Sequence, residues 1–545
     1  MSDFHFASVQ EAVADELGDE LAIVQGDTRL THRQFDDRSA RFATALEAVG
    51  VSAGAKVSLY LYNSPEYLVA HWGAFKHGCC PINVNYRYLD EELAYLVDNS
   101  DSEVLVFHTS LGDRVARVGG QLANVKAFVA VDDGGEVVDG SLDFDEFVAS
   151  HDPQPRHAHD PTDSYMLYTG GTTGMPKGVM YEHEGFIDRL YQPFRAAGTP
   201  GVPDGMSAVA IFARFVRTHA PIVSVPCCPL MHGTGMWVGA MPALITGGTV
   251  VMLTERSFDA AELLALVERE QVTRLAIVGD AFARPILRAI EAAGPALPDV
   301  GSVKAMISSG AMWSAETKAG LLETFPDTRL IDALGSTEGG SYGVVEAGKA
   351  AASETAAGTT AKFALGPNAI VVTESGEPLA SASGQTGLLA SATAARGYYK
   401  DADKTARTFT EIEGTWYVIT GDWATQEADG SITLHGRGSN CINTGGEKVY
   451  PEEVEEAVKT HGGVDDCYVI GIEDERFGQR VVAVVGASEL PPTEDDLRAH
   501  LRGHLAGYKI PKQFVVVEAV QRAPNGKADY PWARELIEGR LNHPA

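Results

Sequence analysis

Short apolar runs alternate with amphipathic stretches along most of the chain. Val57-Ser-Leu-Tyr-Leu61, Glu103-Val-Leu-Val-Phe107 and Ala127-Phe-Val-Ala-Val131 read as buried strands. Between them, the stretch carrying Phe35, Ala40, Phe42 and Leu46 on one face, and Glu66 to Lys76, read as helices. Thr31 is placed to cap the first. The alternation resumes at the strand-like runs Thr249–Leu253, Leu275–Val278 and Lys304–Ile307. Strands alternating with helices predict an α/β fold with parallel sheets. Toward the end, Cys467–Ile470, Val481–Val485 and Phe514–Val517 read as strands. Thr493 and Asp496 form a capping box before Leu497, Leu501 and Leu505, so this part reads as a compact α+β unit. Residues 346–366, rich in Ala, Gly, Ser and Thr, are expected as a surface loop. No period marks a repeat architecture.

At 545 residues the chain exceeds one ordinary core, so at least two domains are expected. The composition, 45% hydrophobic and 21% charged, is that of an ordinary soluble protein. No stretch approaches the roughly 20 apolar residues of a membrane helix, and no signal peptide is visible, so a cytoplasmic protein without stable membrane insertion is expected. The net charge of −31 disfavours nucleic acid or anionic membrane as general partners. Any polyanion must meet local cations. The six cysteines (79, 80, 227, 228, 441 and 467) form no CxxC pair and are expected as buried, reduced thiols.

Chemistry concentrates in Tyr168-Thr-Gly-Gly-Thr-Thr-Gly-Met-Pro-Lys-Gly-Val179. Apolar residues flank a polar loop, which predicts strand, loop, strand. Glycines let backbone N–H groups approach phosphate oxygens, threonine hydroxyls add donors, and Lys177 adds a point charge. A Walker A loop would need Gly-Lys-Ser/Thr running into a helix, whereas Pro176 and Gly178 flank this lysine. Further on, Pro226-Cys-Cys-Pro-Leu-Met-His-Gly-Thr-Gly-Met236 is a punctuated turn bearing His232. From Pro226 to Leu253 there is no Asp or Glu. A buried α-ammonium would find no partner there, which argues against an amino-acid substrate. Met231, Met236, Trp237, Val238 and Met241 read as an apolar pocket or, equally, as helix core. Ser308-Ser-Gly-Ala-Met312 ends a strand in a small-residue turn, where α/β folds bind ligands. Thr420-Gly-Asp422 reads as a turn after the strand Tyr417–Ile419. Glycines crowd Gly436 to Gly446 before a helix that Pro451, Glu452 and Glu453 start. Tyr508-Lys-Ile-Pro-Lys512, with Arg476 and Arg480, forms a small basic cluster, either solvated charge or an attraction for phosphates. Pro524-Asn-Gly-Lys527 is a tight turn.

In this order, from about residue 20 to residue 530, these stretches resemble the adenylate-forming superfamily of acyl-CoA synthetases, peptide-synthetase adenylation domains and luciferases. The details Met180-Tyr-Glu-His183, Gly279-Asp-Ala-Phe-Ala-Arg-Pro285 and Gly445-Gly-Glu-Lys-Val-Tyr-Pro451 are most similar to bacterial fatty acyl-CoA synthetases, within them to the long-chain and steroid side-chain subgroup. The resemblance implies a large N-terminal domain of α/β subdomains with a small β-rich subdomain (1–437). A small mobile C-terminal domain (438–545) would be hinged at Ser439 or Asn440.

It also implies roles. Thr169, Gly170, Gly171, Thr172, Thr173, Gly174 and Lys177 would hold the β- and γ-phosphates of ATP. Gly310, Ala311 and Met312 would back the adenine. Gly335 and Ser336 would lie in the nucleotide site, Thr337 would donate a hydroxyl to phosphate, and Glu338 would hold Mg²⁺. Leu334 stands where the family's adenine-stacking Tyr is usual. Asp422 would bind ribose, and Arg437 ribose or phosphate. His232 would line the acyl and thiol channels, Gly445 and Gly446 would allow close backbone approach to the acyl-adenylate and the incoming thiol, and Lys448 would lie in the cofactor site. Lys527 would be the catalytic lysine. The implied reaction is ATP-dependent activation of a hydrophobic carboxylate to an acyl-CoA. The alternatives are transfer to a carrier-protein thiol and an inactive nucleotide-binding module. A homodimer is left open.

Overall fold

The computed structural model describes residues 3–169, 175–311, 313–347, 362–437, 442–444, 447–474, 478–487, 491–523 and 528–542. In one parallel sheet the strands Cys80–Asn83, Lys56–Tyr60, Ser102–His108, Ala127–Val131 and Leu142–Asp143 lie side by side in that order. Val104, Leu105, Val106 and Phe107 are all buried, because a parallel sheet is covered on both faces. The helices His32–Ala48 and Pro65–Lys76 pack on each other. Thr31 caps the first through a reciprocal box with Gln34, as its position predicts. Phe6 stacks on Phe75 and Trp72 meets both edge to face within the core so formed. Each such aromatic contributes about 1.5–3 kcal/mol by leaving water.

In a larger sheet, edged by the antiparallel strand Thr28–Thr31, the strands Leu21–Gln25, Thr249–Met252, Val223–Pro226, Arg274–Ile277, Ala305–Ser309 and Arg329–Ser336 are adjacent in that order and parallel. The last turns back into Gly340–Ala347, and the sheet continues antiparallel through Lys362–Leu365, Ser431–Arg437, Thr415–Gln426, Thr386–Ala392 and Ala369–Val372. The β-rich part is therefore a hydrogen-bonded continuation of the parallel sheet. Residues Thr337–Gly339 turn the chain at the seam. Residues 346–366, expected as a loop, supply the strand Lys362–Leu365. Its alternation buries Phe363 between exposed Lys362 and Ala364.

The expected turn at Thr420-Gly421-Asp422 is corrected as well. The strand Thr415–Gln426 runs straight through it. Leu388 pairs with Trp423 and Ala390 with Ile419, so residues 420–422 form a bulge in the pairing with Thr386–Ala392, with Gly421 at φ +90°. An inserted bulge and a turn ask for the same Gly, which is why local pattern does not separate them.

A third sheet joins Gly397–Tyr398, Lys177–Glu182 and Ser164–Thr169. A fourth holds Glu447–Val449, Ile442–Thr444, Gly478–Gly486 and Asp466–Asp474, with Gln513–Val517 parallel to Gly478–Gly486. Pro451 stands at the start of the helix Pro451–Lys459, and Thr493 and Asp496 box the start of Glu494–Leu501. In the expected basic cluster, Lys509 is taken up by Glu453 at 2.6 Å, so it is not a free cation. Arg476 lies outside the described residues. Cys79, Cys80, Cys227, Cys228 and Cys467 are free and buried, and Cys441 lies outside the described residues. Among the described residues no helix is long and apolar enough to cross a membrane.

Candidate active site

The strands Ser164–Thr169 and Lys177–Glu182 pair antiparallel from Ser164–Glu182 to Thr169–Lys177. The two ends of the glycine-rich loop therefore lie side by side. Gly170, Gly171, Thr172, Thr173 and Gly174 fall outside the described residues. What anchors the loop is a buried side chain absent from every motif. Asn83 accepts from the Tyr168 N–H (2.7 Å) and donates to the carbonyls of Tyr168 (2.8 Å) and Met231 (2.7 Å). Asn63 likewise donates to the Cys228 carbonyl (3.2 Å) and accepts from the Leu230 N–H (2.7 Å). Asn83 thus ties the Pro226–Met236 turn to the strand that leads into the loop, and Asn63 braces the turn internally.

His232 stands at the end of that turn, where the chain enters a π-helical segment, Thr234–Ala240. Such a segment is rare and is often found at functional sites. Thr234 donates to the Ser309 carbonyl (3.3 Å), which joins this segment to the small-residue turn. There Gly310 takes φ +94° and Ala311 follows, half-buried; Met312 lies outside the described residues. Met231, Met236 and Met241 are fully buried and Trp237 is half-buried, its indole donating to the Tyr165 hydroxyl at 2.7 Å.

The Thr337–Gly339 turn is held by its carbonyls. Tyr181 donates to the carbonyl of Thr337, Thr393 to that of Glu338 (2.6 Å), and Arg189 (2.9 Å) and Ser391 (3.1 Å) to that of Gly339. Ser336 accepts from the Gly339 N–H (2.9 Å). With the backbone so fixed, the position of the Glu338 carboxylate is set by its side chain alone. Oε1 of Glu338 accepts from the Tyr398 hydroxyl at 2.8 Å. Gly335 lies in the strand just before, its neighbour Leu334 packed on the apolar cluster around Tyr342 and Phe363.

A hydrogen-bonded chain runs from Ser336 to the Tyr342 hydroxyl (2.8 Å), on to Thr420 (3.1 Å), and from Thr420 to Asp422 (2.5 Å). It brings together two motifs far apart in sequence. Asp422 pairs in register with Arg437, whose side chain lies outside the described atoms. Lys177 sits 3.5 Å from Asp401, and Lys404 lies over the Tyr398 ring at 5.0 Å. Burial, and then the neighbouring Lys177, pull the Lys404 ammonium down to about 8.

A single carboxylate held in place by Tyr398, as Glu338 is, suits a Mg²⁺ ion. That ion takes one or two carboxylates and completes its shell with phosphate and water. No cage of three or more His, Cys, Asp or Glu occurs among the described residues. Lys448 is in the strand Glu447–Val449, its side chain outside the described atoms; Gly446 and Lys527 lie outside the described residues. Arg522 and Ala528, which flank the Lys527 turn, pair with each other, and the Arg522 carbonyl accepts from Arg87 at 3.4 Å.

Sequence reasoning missed Asn83, Arg189, Thr393 and Tyr342, isolated residues with no local signal, and did not single out Tyr181 within the Met180–His183 stretch. Tyr398 and Lys404 were likewise not singled out.

Residues 10–399 match the family described as AMP-binding enzyme, and residues 453–527 match the AMP-binding enzyme C-terminal domain. The chain is 37% identical to the medium/long-chain-fatty-acid–CoA/3-oxocholest-4-en-26-oate–CoA ligase of Mycolicibacterium smegmatis, covering 98% of this chain and 97% of that one. It is also 37% identical to the 3-oxocholest-4-en-26-oate–CoA ligase of Rhodococcus rhodochrous, covering 97% and 95%. Among solved structures, it superposes on an anthranilate CoA ligase, AuaEII, with a TM-score of 0.82 at 20% identity, covering 99% of each chain. ATP-bound MatB from Rhodopseudomonas palustris gives 0.79 at 23% identity, covering 98% of this chain and 99% of that one. At such identities the structural matches speak for the fold.

Proposed function

The chain belongs to the AMP-binding enzyme family, and on that footing we propose that it is an AMP-forming ligase joining a hydrophobic carboxylic acid to coenzyme A. The observation that carries this reading is the carbonyl-clamped Thr337–Gly339 turn, with Glu338 held by Tyr398 and linked through Ser336 and Tyr342 to Asp422. The full-length relatives named as acyl-CoA ligases support it.

In the first half-reaction a carboxylate oxygen attacks the α-phosphorus of ATP. The new C–O–P linkage forms as the bond to pyrophosphate breaks. The protein positions the reactants and stabilises charge on the phosphorus oxygens. The Thr169–Lys177 loop holds the β- and γ-phosphates, Thr337 donates to phosphate, and Asp422 accepts the ribose hydroxyls. Glu338 would hold Mg²⁺, which supplies charge neutralisation on the triphosphate. Lys527 bridges the carboxylate and the α-phosphate. In the second half-reaction the coenzyme A sulfur attacks the acyl carbon. The acyl–oxygen bond breaks, AMP leaves and the thiol proton is released. His232 lines the route of the thiol, with Gly446 and Lys448 on the facing C-terminal domain. We place the boundary between the domains after Arg437, where rotation exchanges the two half-reactions.

The acyl group is a medium- or long-chain fatty acid or a steroid side chain. The acid-free stretch from Pro226 to Leu253 and the buried methionines favour an apolar acid, and the relatives' names point the same way. The test is AMP and pyrophosphate release with Mg·ATP across short, long, aromatic and steroidal acids, each with and without coenzyme A. Thioester formed with a long or steroidal acid is the expected result. Pyrophosphate exchange without thioester would transfer the acyl group to a carrier-protein thiol instead. ATP binding without turnover of any acid would make the chain a nucleotide-binding module.

A further inference from the structure

We infer that Lys404 is a second cation of the polyphosphate site, acting beside Lys177 on the terminal phosphates of ATP. The inference rests on the ligase reading only in placing ATP at this site. Lys404 lies on the short helix Ala402–Thr408, whose first turn is capped by Asp401. Asp401 acts in two directions. One oxygen accepts from the Lys404 backbone N–H (3.0 Å), and the other stands 3.5 Å from the Lys177 ammonium. A single carboxylate thus sets both the helix that presents Lys404 and the lysine that closes the glycine-rich loop.

The Lys404 ammonium lies over the Tyr398 ring at 5.0 Å, and the hydroxyl of that ring is bonded to Glu338. One tyrosine therefore supports a cation on its face and the metal-site carboxylate at its tip. In a chain of net charge −31, several half-buried or buried lysines are held by carboxylates: Lys76 by Glu11 and Asp36, Lys318 by Asp332, Lys509 by Glu453. Lys404 forms no ion pair among the described residues and has a second ammonium as its neighbour. Burial first, and then the Lys177 ammonium, lower the Lys404 ammonium, while the Glu338 and Asp401 carboxylates pull it the other way, so the like-charge pair is only partly offset in the free protein. A polyanion bridging both ammonium groups relieves the repulsion and gains two charge-assisted hydrogen bonds. AMP, which ends at the α-phosphate, does not reach them.

The test compares Mg·ATP, AMP and inorganic pyrophosphate binding to the full-length protein and to Lys404→Gln and Lys404→Arg. Loss of one charge-assisted hydrogen bond corresponds to about tenfold in affinity. Lys404→Gln is expected to weaken ATP and pyrophosphate about tenfold, raise KM for ATP alike, and leave AMP affinity and KM for the acid within about twofold. Lys404→Arg, which keeps the charge, should retain most ATP affinity. Equal losses for ATP and AMP, equal damage from both substitutions, or no change in ATP affinity would each overturn the assignment. Because binding is read without acid or coenzyme A, failure of the ligase reading (ATP bound, no acid turned over) is separately visible.

Discussion

Asn83 and Tyr168 hold each other by two hydrogen bonds, the Tyr168 N–H to the amide oxygen and the amide nitrogen to the Tyr168 carbonyl. The same amide nitrogen reaches the Met231 carbonyl. Asn83 ends one strand of the smaller parallel sheet, Tyr168 leads into the glycine-rich loop, and Met231 precedes His232. One buried amide thus sets the spacing between the loop expected to carry phosphates and the turn expected to line the acyl channel.

Replacing Asn83 by Ala leaves the Tyr168 N–H and two carbonyls without their partner. Each buried group so orphaned costs about 1–3 kcal/mol. Part of that is relieved by relaxation, and a net loss of about 2–4 kcal/mol is expected, with a fall in pyrophosphate exchange. Urea denaturation and exchange assays read the two effects. A variant as stable and active as the parent would contradict the role.

Tyr398→Phe removes only the hydroxyl bonded to Glu338 and keeps the ring under Lys404. Partners that orient a metal-binding carboxylate are worth about 10–100-fold in affinity or activity. Adenylation should fall by that factor and demand more Mg²⁺, while the melting temperature stays close to the parent's. A Mg²⁺ titration of the initial rate checks this; an unchanged half-saturation would count against Glu338 as the metal ligand.

His5 stacks face to face with His183 (4.0 Å between ring centres) and with His159 (4.5 Å), and His71 lies fully buried nearby. Burial holds His71 and His159 down to about 3 and also lowers His5 and His183, Asp163 pulling His5 the other way. Glu11 and Lys76 face the same cluster. The unfolded chain therefore binds more protons than the folded one below the ordinary value of 6.5. This stability is fully present above about pH 6.5 and is lost as pH falls from there toward about 3. Urea unfolding at pH 7.5 and pH 5 should show the drop, and His71→Phe should make it shallower. Equal stability at the two pH values would refute the account.

Lys527→Ala is expected to stop adenylation while sparing thioester formation from supplied acyl-adenylate, since the bridge to the α-phosphate is needed only in the first half-reaction. The two half-reactions assayed separately decide it. Loss of both would remove the role given to this lysine.

Much of the scaffold is written locally. Val57–Leu61, Glu103–Phe107 and Ala127–Val131 are apolar enough to be read as covered strands, and Thr31, Pro451 and Thr493 mark helix starts through their own backbone chemistry. The Gly- and Thr-rich run after Tyr168 is legible for the same reason, because its residue types crowd together as a phosphate-suited loop would need, whereas Thr337 and Glu338 are legible only through the family resemblance. Local pattern goes wrong where two geometries want the same residue, as at Gly421, where a bulge was expected to be a turn.

What only the tertiary structure decided is which distant side chains complete each motif. Asn83 reaches across to Tyr168 and Met231. Tyr181, Arg189, Ser391 and Thr393 consume the carbonyls of one turn, and Tyr342 joins Ser336 to Thr420. Each is a single polar residue whose partner lies far away along the chain, and a hydrogen bond leaves no periodicity in sequence. Packing brings those groups within reach, and the unfavourable cost of burying them unpaired makes the arrangement specific.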